Sequence, residues 1–300
     1  MKPLVALVTA REARGLDEDM PLLEAALEAA GARSQMVDWD DAKVDWGAFD
    51  LVLLRSTWDY TDRLREFLVW VDCAASRTTL LNPPSVVRWN TDKHYLAELA
   101  RAGVPVVPST FIEPGESADL ALHEFLGRHP NSAEFVVKPS VGAGSRDTQR
   151  HLRGAVEPAV AQALRLLNAE RSVLLQPYLD SVDRDGETAL MYFAGQFSHA
   201  IRKGPLLPPG LAGSPAVGLF APEKITSRTP GVDELRVAER VLAALPFSAP
   251  LYARIDLIRD GAGAPMLLEL ELTEPSLFFA HAPGTAERFT SVVLTAAAAV

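Results

Sequence analysis

The stretch that decides the fold is Tyr252-Ala-Arg-Ile-Asp-Leu-Ile, a turn, and then Leu267-Leu-Glu-Leu-Glu-Leu-Thr-Glu-Pro275. Both halves alternate apolar and polar residues, which predicts two half-buried strands, and Gly261-Ala262-Gly263 between them predicts a hairpin. On the first strand Arg254 and Asp256 share a face, with Ile255 and Leu257 opposite. On the second, Glu269 and Glu271 share a face, with Leu268, Leu270 and Leu272 opposite. Pairing the apolar faces gathers Arg254, Asp256, Glu269 and Glu271 on one surface of a sheet. Three neighbouring carboxylates repel unless a cation neutralises them, and an oxygen-only set without His or Cys favours Mg²⁺ over zinc. The arginine beside them suggests that an anion also arrives there. An ordinary exposed sheet face with surface charges is the alternative, since alternation alone is common.

Upstream, Glu187 to Phe193 and Gln196 to Arg202 predict a second hairpin around Gly195. A Pro/Gly-rich loop, 206–218, then precedes a helix from Val232 to Leu245; loops of that length cover substrates or lack order. Further back, the short strand Glu134 to Val137 delivers Lys138 to a Pro/Gly/Ser loop through Ser145. Glycines there let backbone N–H groups approach phosphate oxygens, and the lysine supplies charge. The lysine precedes the glycines, so this is not a Walker A loop. An amphipathic helix spans Val156 to Asn168. The strand Ser172 to Leu179 contains Pro177, which places it at an edge or interrupts it there.

The first third predicts a mainly parallel α/β lobe. Its strands are Leu4–Thr9, Ser34–Val37 and Phe49–Leu54, with helices from Asp17 to Gly31 and Leu64 to Ala75. Arg55-Ser56-Thr57-Trp58-Asp59-Tyr60 follows the third strand, where open α/β sheets bind ligands. Arg55 and Ser56 are therefore candidates for a substrate carboxylate, with a helix N-cap as the alternative. A Pro83-Pro84 break closes this lobe. A helix is expected from Asn90-Thr91-Asp92-Lys93 to Ala102, then a linker strand over 103–108. Lys93 reads either as a phosphate ligand or as an ordinary helix lysine. The final helix is expected over 284–299.

Composition sets bounds. With 300 residues, 48% hydrophobic and 23% charged, the chain has core enough for two or three lobes. A net charge of -10 argues against a nucleic-acid surface and suits a cytoplasmic protein. Cys73 excludes an internal disulfide and is expected in the core of a helix. No apolar run predicts a membrane span. The histidines show no ligand spacing; His281, near the metal strand, is the one of interest. A symmetric homodimer is the expected assembly.

Taken in order, these segments resemble the ATP-grasp superfamily over nearly the whole chain. The resemblance implies an N-terminal parallel-sheet domain over 1–84 and two lobes clasping ATP, a central one over 85–179 and a C-terminal one over 180–300. It implies ATP-phosphate contacts from Lys93 and Lys138 and a phosphate-covering loop at Gly142, Gly144 and Ser145. It also implies an adenine hinge at Gln176, Tyr178 and Leu179 and a ribose acid at Glu187. Asp256, Glu269 and Glu271 match the metal set for two Mg²⁺ ions, although many members carry Glu-x-Asn where this chain has Glu269-Leu270-Glu271. Arg254 would stabilise an oxyanion, and Arg202 with Arg55 and Ser56 would meet a small carboxylate substrate.

Within the superfamily, the stretches 55–60 and 268–275 resemble the cyclo-ligases that close D-cycloserine from O-ureido-D-serine. The implied reaction is carboxylate phosphorylation, ring closure by an internal nitrogen, and loss of CO₂ and ammonia. Two alternatives are a ligase joining two amino acids or peptides, as in relatives similar to glutathione synthetase, and an ATP-binding module without catalysis.

Overall fold

The computed structural model describes residues 2–205, 207 and 224–298. The 206–218 loop therefore lies almost wholly outside the described residues.

Three sheets are built in chain order. The first contains β1 (Leu4–Thr9), β2 (Arg33–Asp38), β3 (Leu51–Ser56) and β4 (Thr79–Leu81), in the order β2-β1-β3-β4 and all parallel. Their connections carry α1 (Met20–Ala29) and α2 (Leu64–Ala75). β1 and β3 are buried on both faces, which is why they read as continuous apolar runs. Two short helices follow, α3 (Pro84–Asn90) and α4 (Tyr95–Arg101). The helix expected from Asn90 begins only at Tyr95, after a turn containing Lys93, and α3 ahead of it was not expected. The linker strand expected over 103–108 is reduced to one bridge, Val106 to Leu267.

The second sheet contains β5 (Thr110–Ile112), β6 (Glu134–Pro139), β7 (Gln149–Leu152) and β8 (Val173–Pro177), ordered β5-β8-β6-β7 and antiparallel. α5 (Ala118–Arg128) and α6 (Val156–Asn168) pack on one face through Leu122, Phe125, Ala163 and Leu166. β8 lies between two partners, so it is not an edge strand. It stops at Pro177, which has no N–H to continue the ladder.

After α7 (Ser181–Asp185), the third sheet holds β9 (Glu187–Phe193), β10 (Gln196–Lys203), β11 (Ile225–Arg228), β12 (Tyr252–Arg259) and β13 (Pro265–Glu271). Its order is β11-β10-β9-β12-β13, antiparallel throughout. One face packs with α1 and α9 (Thr285–Ala298) in a core that includes Met191, Phe193, Tyr252 and Phe289. The other meets α4 and α8 (Val232–Ala243) through Leu190, Tyr192, Ile255 and Leu270.

Two sequence expectations change here. β12 is buried along almost its whole length, since layers cover both faces. Alternation marked two chemically different buried faces, not burial against solvent. Cys73 is exposed on α2; Phe67, Trp70, Val71 and Ala74 supply that helix's buried side.

Candidate active site

The β12–β13 hairpin forms as expected, with Arg254 opposite Glu271 and Asp256 opposite Glu269. The register then slips, because Leu257 pairs with Leu267 and leaves Leu268 as an extra residue. Leu268 was expected beside Leu270 and Leu272. The bulge turns it to the cavity side instead, where it joins Ile258, Val107, Val182, Tyr178 and Leu179 in an apolar slot.

A cavity of about 310 Å³ runs from this slot across the charged part of the hairpin. Lys93, Lys138, Gly142, Gly144 and Ser145 line it, as do Gln176, Tyr178, Leu179 and Glu187. Arg254, Glu269 and Glu271 line it from the hairpin. Lys93 Nζ donates to Gly142 O at 2.7 Å and pairs with Glu269 Oε1 at 3.0 Å, tying the glycine loop to the hairpin. Burial lowers Lys138 to about 8, with Glu269 partly opposing the shift. The glycine loop takes left-handed conformations at Gly144, Ser145 and Asp147. It is fastened through Asp147, which accepts from Arg165 and Arg171 at 2.8 Å each.

At the slot end, Tyr178 N donates to Glu134 O at 3.0 Å, and Tyr178 OH donates to Asp183 at 2.7 Å. The Arg150 guanidinium lies over the Tyr178 ring, 3.6 Å from its centre. These contacts fix the ring at the slot's wall. Gln176 Nε2 donates to Ser109 Oγ at 2.9 Å.

The acids divide by exposure. Asp256 is sealed at 1% exposure, bonded by Arg254 Nε at 2.9 Å and Lys203 Nζ at 3.0 Å. Burial would raise its carboxyl, but Arg254 and Lys203 hold it below the usual range. Glu269 and Glu271 front the cavity. Burial opposes the charge on Glu269, yet Lys93 and Lys138 hold it down to about 2. Glu271 also pairs with Arg254, but burial and the neighbouring acids push it up to about 7. Among the described residues no group of three or more His, Cys, Asp or Glu is arranged to hold a metal. The hairpin's own donors at the cavity, Glu269 and Glu271, are carboxylate oxygens, the ligand type that fits a hard divalent cation.

Three expected residues are not brought to the cavity. Arg55 is fully buried behind it, 3.5 Å from Asp19 and 3.7 Å from Asp17. Ser56 Oγ is 2.8 Å from Thr9 Oγ1 inside the first sheet. Arg202 points away, with Nε donating to Asp185 O at 2.5 Å. Its neighbour Lys203 turns inward instead, within 3.2 Å of Glu187. Strand alternation from Glu187, its register partner, was the signal for that lysine. Trp58, Tyr60 and Glu274 also line the cavity and were missed. Glu274 sits in a loop beyond β13, where periodicity gives no direction. His281 lines the cavity as well.

The comparisons follow from this geometry. A family model described as "D-cycloserine synthetase DcsG, N-terminal domain" matches residues 5–82. The chain is 42% identical over 296 residues to the cycloserine biosynthesis protein DcsG of Streptomyces lavendulae, covering 97% of each. It superposes on a crystal structure of D-cycloserine synthetase DcsG with TM-score 0.91 and 40% identity, covering 98% of this chain and 99% of that one. The ATP-grasp ligase PsnB, at 17% identity and TM-score 0.64, covers 98% of this chain and 99% of its own, and shares the fold. No helix among the described residues is long and apolar enough to cross a membrane. The chain belongs to the DcsG family and has the ATP-grasp fold.

Proposed function

We propose that this enzyme uses ATP to phosphorylate the carboxylate of O-ureido-D-serine and then closes the D-cycloserine ring. The observation that carries the ligase chemistry is the convergence of Lys93, Lys138, Arg254, Glu269 and Glu271 on one cavity. The substrate follows from likeness to proteins named for cycloserine biosynthesis. The division into 1–84, 85–179 and 180–300 supports it too, since each range carries one of the three sheets.

In this reading the apolar slot at Tyr178, Leu179 and Leu268 takes adenine, and Glu187 the ribose. Lys93, Lys138 and the N–H groups of the glycine loop hold the phosphates. Glu269 and Glu271, with Asp256 behind them, would hold Mg²⁺, which supplies charge neutralisation at the phosphate oxygens. A substrate carboxylate oxygen bonds to the γ-phosphorus as the bond to ADP breaks. The ureido nitrogen then bonds to the acyl carbon, loses its proton, and phosphate departs. Arg254, anchored by Asp256 and Glu271, is poised to stabilise the oxyanion of that step. Attack from within one molecule favours closure over an external amine. Water then removes the carbamoyl group as CO₂ and ammonia.

The test is ADP and phosphate release with ATP and Mg²⁺, with and without O-ureido-D-serine, and product mass. Substrate-dependent release with a product of cycloserine mass is expected. ADP release only with a second amino acid or peptide would instead indicate a two-substrate ligase.

A further inference from the structure

We propose, resting on the ligase activity above, that Glu274 receives the substrate's amine and thereby selects carboxylates bearing an adjacent ammonium group. Glu274 follows β13, lines the cavity and is 7% exposed. Among the described residues no lysine, arginine or histidine lies within ion-pair distance of it, whereas Glu269, Glu271, Asp256 and Glu187 each have such a partner. It is an acid at the cavity surface with only the longer-range attraction of Lys93 and Arg254 and no ion pair among the described residues. Tyr60 offers it a hydroxyl hydrogen bond, and Trp58 Nε1 donates to its backbone oxygen at 3.3 Å. Its backbone is therefore tied to the segment that follows β3. Burial pushes the carboxyl up to about 8, which agrees with a site awaiting positive charge.

The surroundings suit an ammonium ion. Trp58, Tyr60 and Phe278 line this end of the cavity, and aromatic faces attract cations. Arg254 stands on the hairpin side, so the wall offers one cation and one anion to a ligand. An α-amino acid carries the complementary pair, its carboxylate toward Arg254 and its ammonium toward Glu274.

The test compares O-ureido-D-serine with 3-(ureidooxy)propanoic acid, which lacks the amine but keeps the carboxylate and attacking nitrogen. Wild-type enzyme is expected to prefer the amine-bearing compound in kcat/KM by about 100-fold, typical of a desolvated charge pair. Glu274→Gln should erase most of that preference while the KM for ATP holds, and Glu274→Asp should retain part of it. A structural role would lower kcat/KM for both compounds equally, and that result overturns the assignment, as does an unchanged preference. Wild-type enzyme that releases no ADP with either compound overturns the proposed function and this inference together.

Discussion

Two clusters of buried charge lie on either side of the loop at 276–279, and they solve opposite problems. In the cavity, Lys93, Arg254 and Lys203 pair with Glu269, Glu271 and Glu187, and all six line its wall. Beside it, Arg55 is fully buried against Asp17 and Asp19, and Asp19 reaches the cavity's lining. Asp19 accepts from the N–H groups of Leu277, Phe278 and Phe279 at 2.5, 3.0 and 2.8 Å. Phe278 sits in the left-handed region, φ 55°, a conformation this three-bond grip can sustain. The first cluster has pairings that can be exchanged for a ligand's. The second holds the segment from which Ser276 and Phe278 line the cavity. Similar residue types thus separate by partner: one cluster pairs side chain with side chain at the cavity, the other also grips backbone N–H groups.

The contrast breaks most visibly at Arg55. Arg55→Ala leaves two buried aspartates uncompensated and should cost about 3–5 kcal/mol of stability. Urea unfolding measures it; a loss under 1 kcal/mol would remove the scaffolding role. Arg254→Ala should instead preserve ATP binding and lower kcat by about 10²–10³, as expected for a lost oxyanion donor. Unchanged turnover would take Arg254 out of the reaction.

A smaller effect sharpens the electrostatic side. Glu271 and Glu274 hold protons in the fold up to about 7 and about 8. The unfolded chain releases them near 4.5, the ordinary value for the group. Below that value both states are protonated and the term vanishes. Above it, the unfolded state sheds protons first, so stability of the ligand-free enzyme falls as pH rises toward 8, by about 1 kcal/mol or more. Mg²⁺ with ATP should flatten the Glu271 part, seen in thermal melts across that range. A ligand-free stability that rises over the same range would refute it. Smallest of all, Cys73→Ser should change stability by less than about 0.5 kcal/mol and leave turnover intact. A large loss would return Cys73 to the core that α2 denies it.

The comparison also shows what could be read in advance. The parallel first sheet, both hairpins and α6 were legible because each rests on local periodicity. The meeting of Lys138, the glycine loop and the Arg254–Glu271 row at one cavity was legible from chemical pattern, whereas Lys93 entered only through the family resemblance, its own stretch leaving it open. Arg55 was legible as a residue of interest but not as a sealed one, since burial of an arginine depends on aspartates 38 and 36 positions away in sequence. Lys203 was passed over for Arg202, though the inward strand face opposite Glu187 distinguishes them. α5 carried a helical pattern at Ala118, Leu122, Phe125 and Leu126 after the Ser117 cap that was passed over, whereas β7 and Glu274 lie where turns and loops set direction.

The extra residue at Leu268 has a further consequence. It acts as a frameshift in the sheet: the alternation is intact on either side, but its phase is inverted. One strand thereby presents an apolar side chain and two acids to the same cavity, and each set can change without disturbing the other's register. Removing that residue would rejoin the two phases, turning every side chain on one side of the slip to the opposite layer. The apolar slot and the acidic floor are thus written in two reading frames of a single strand.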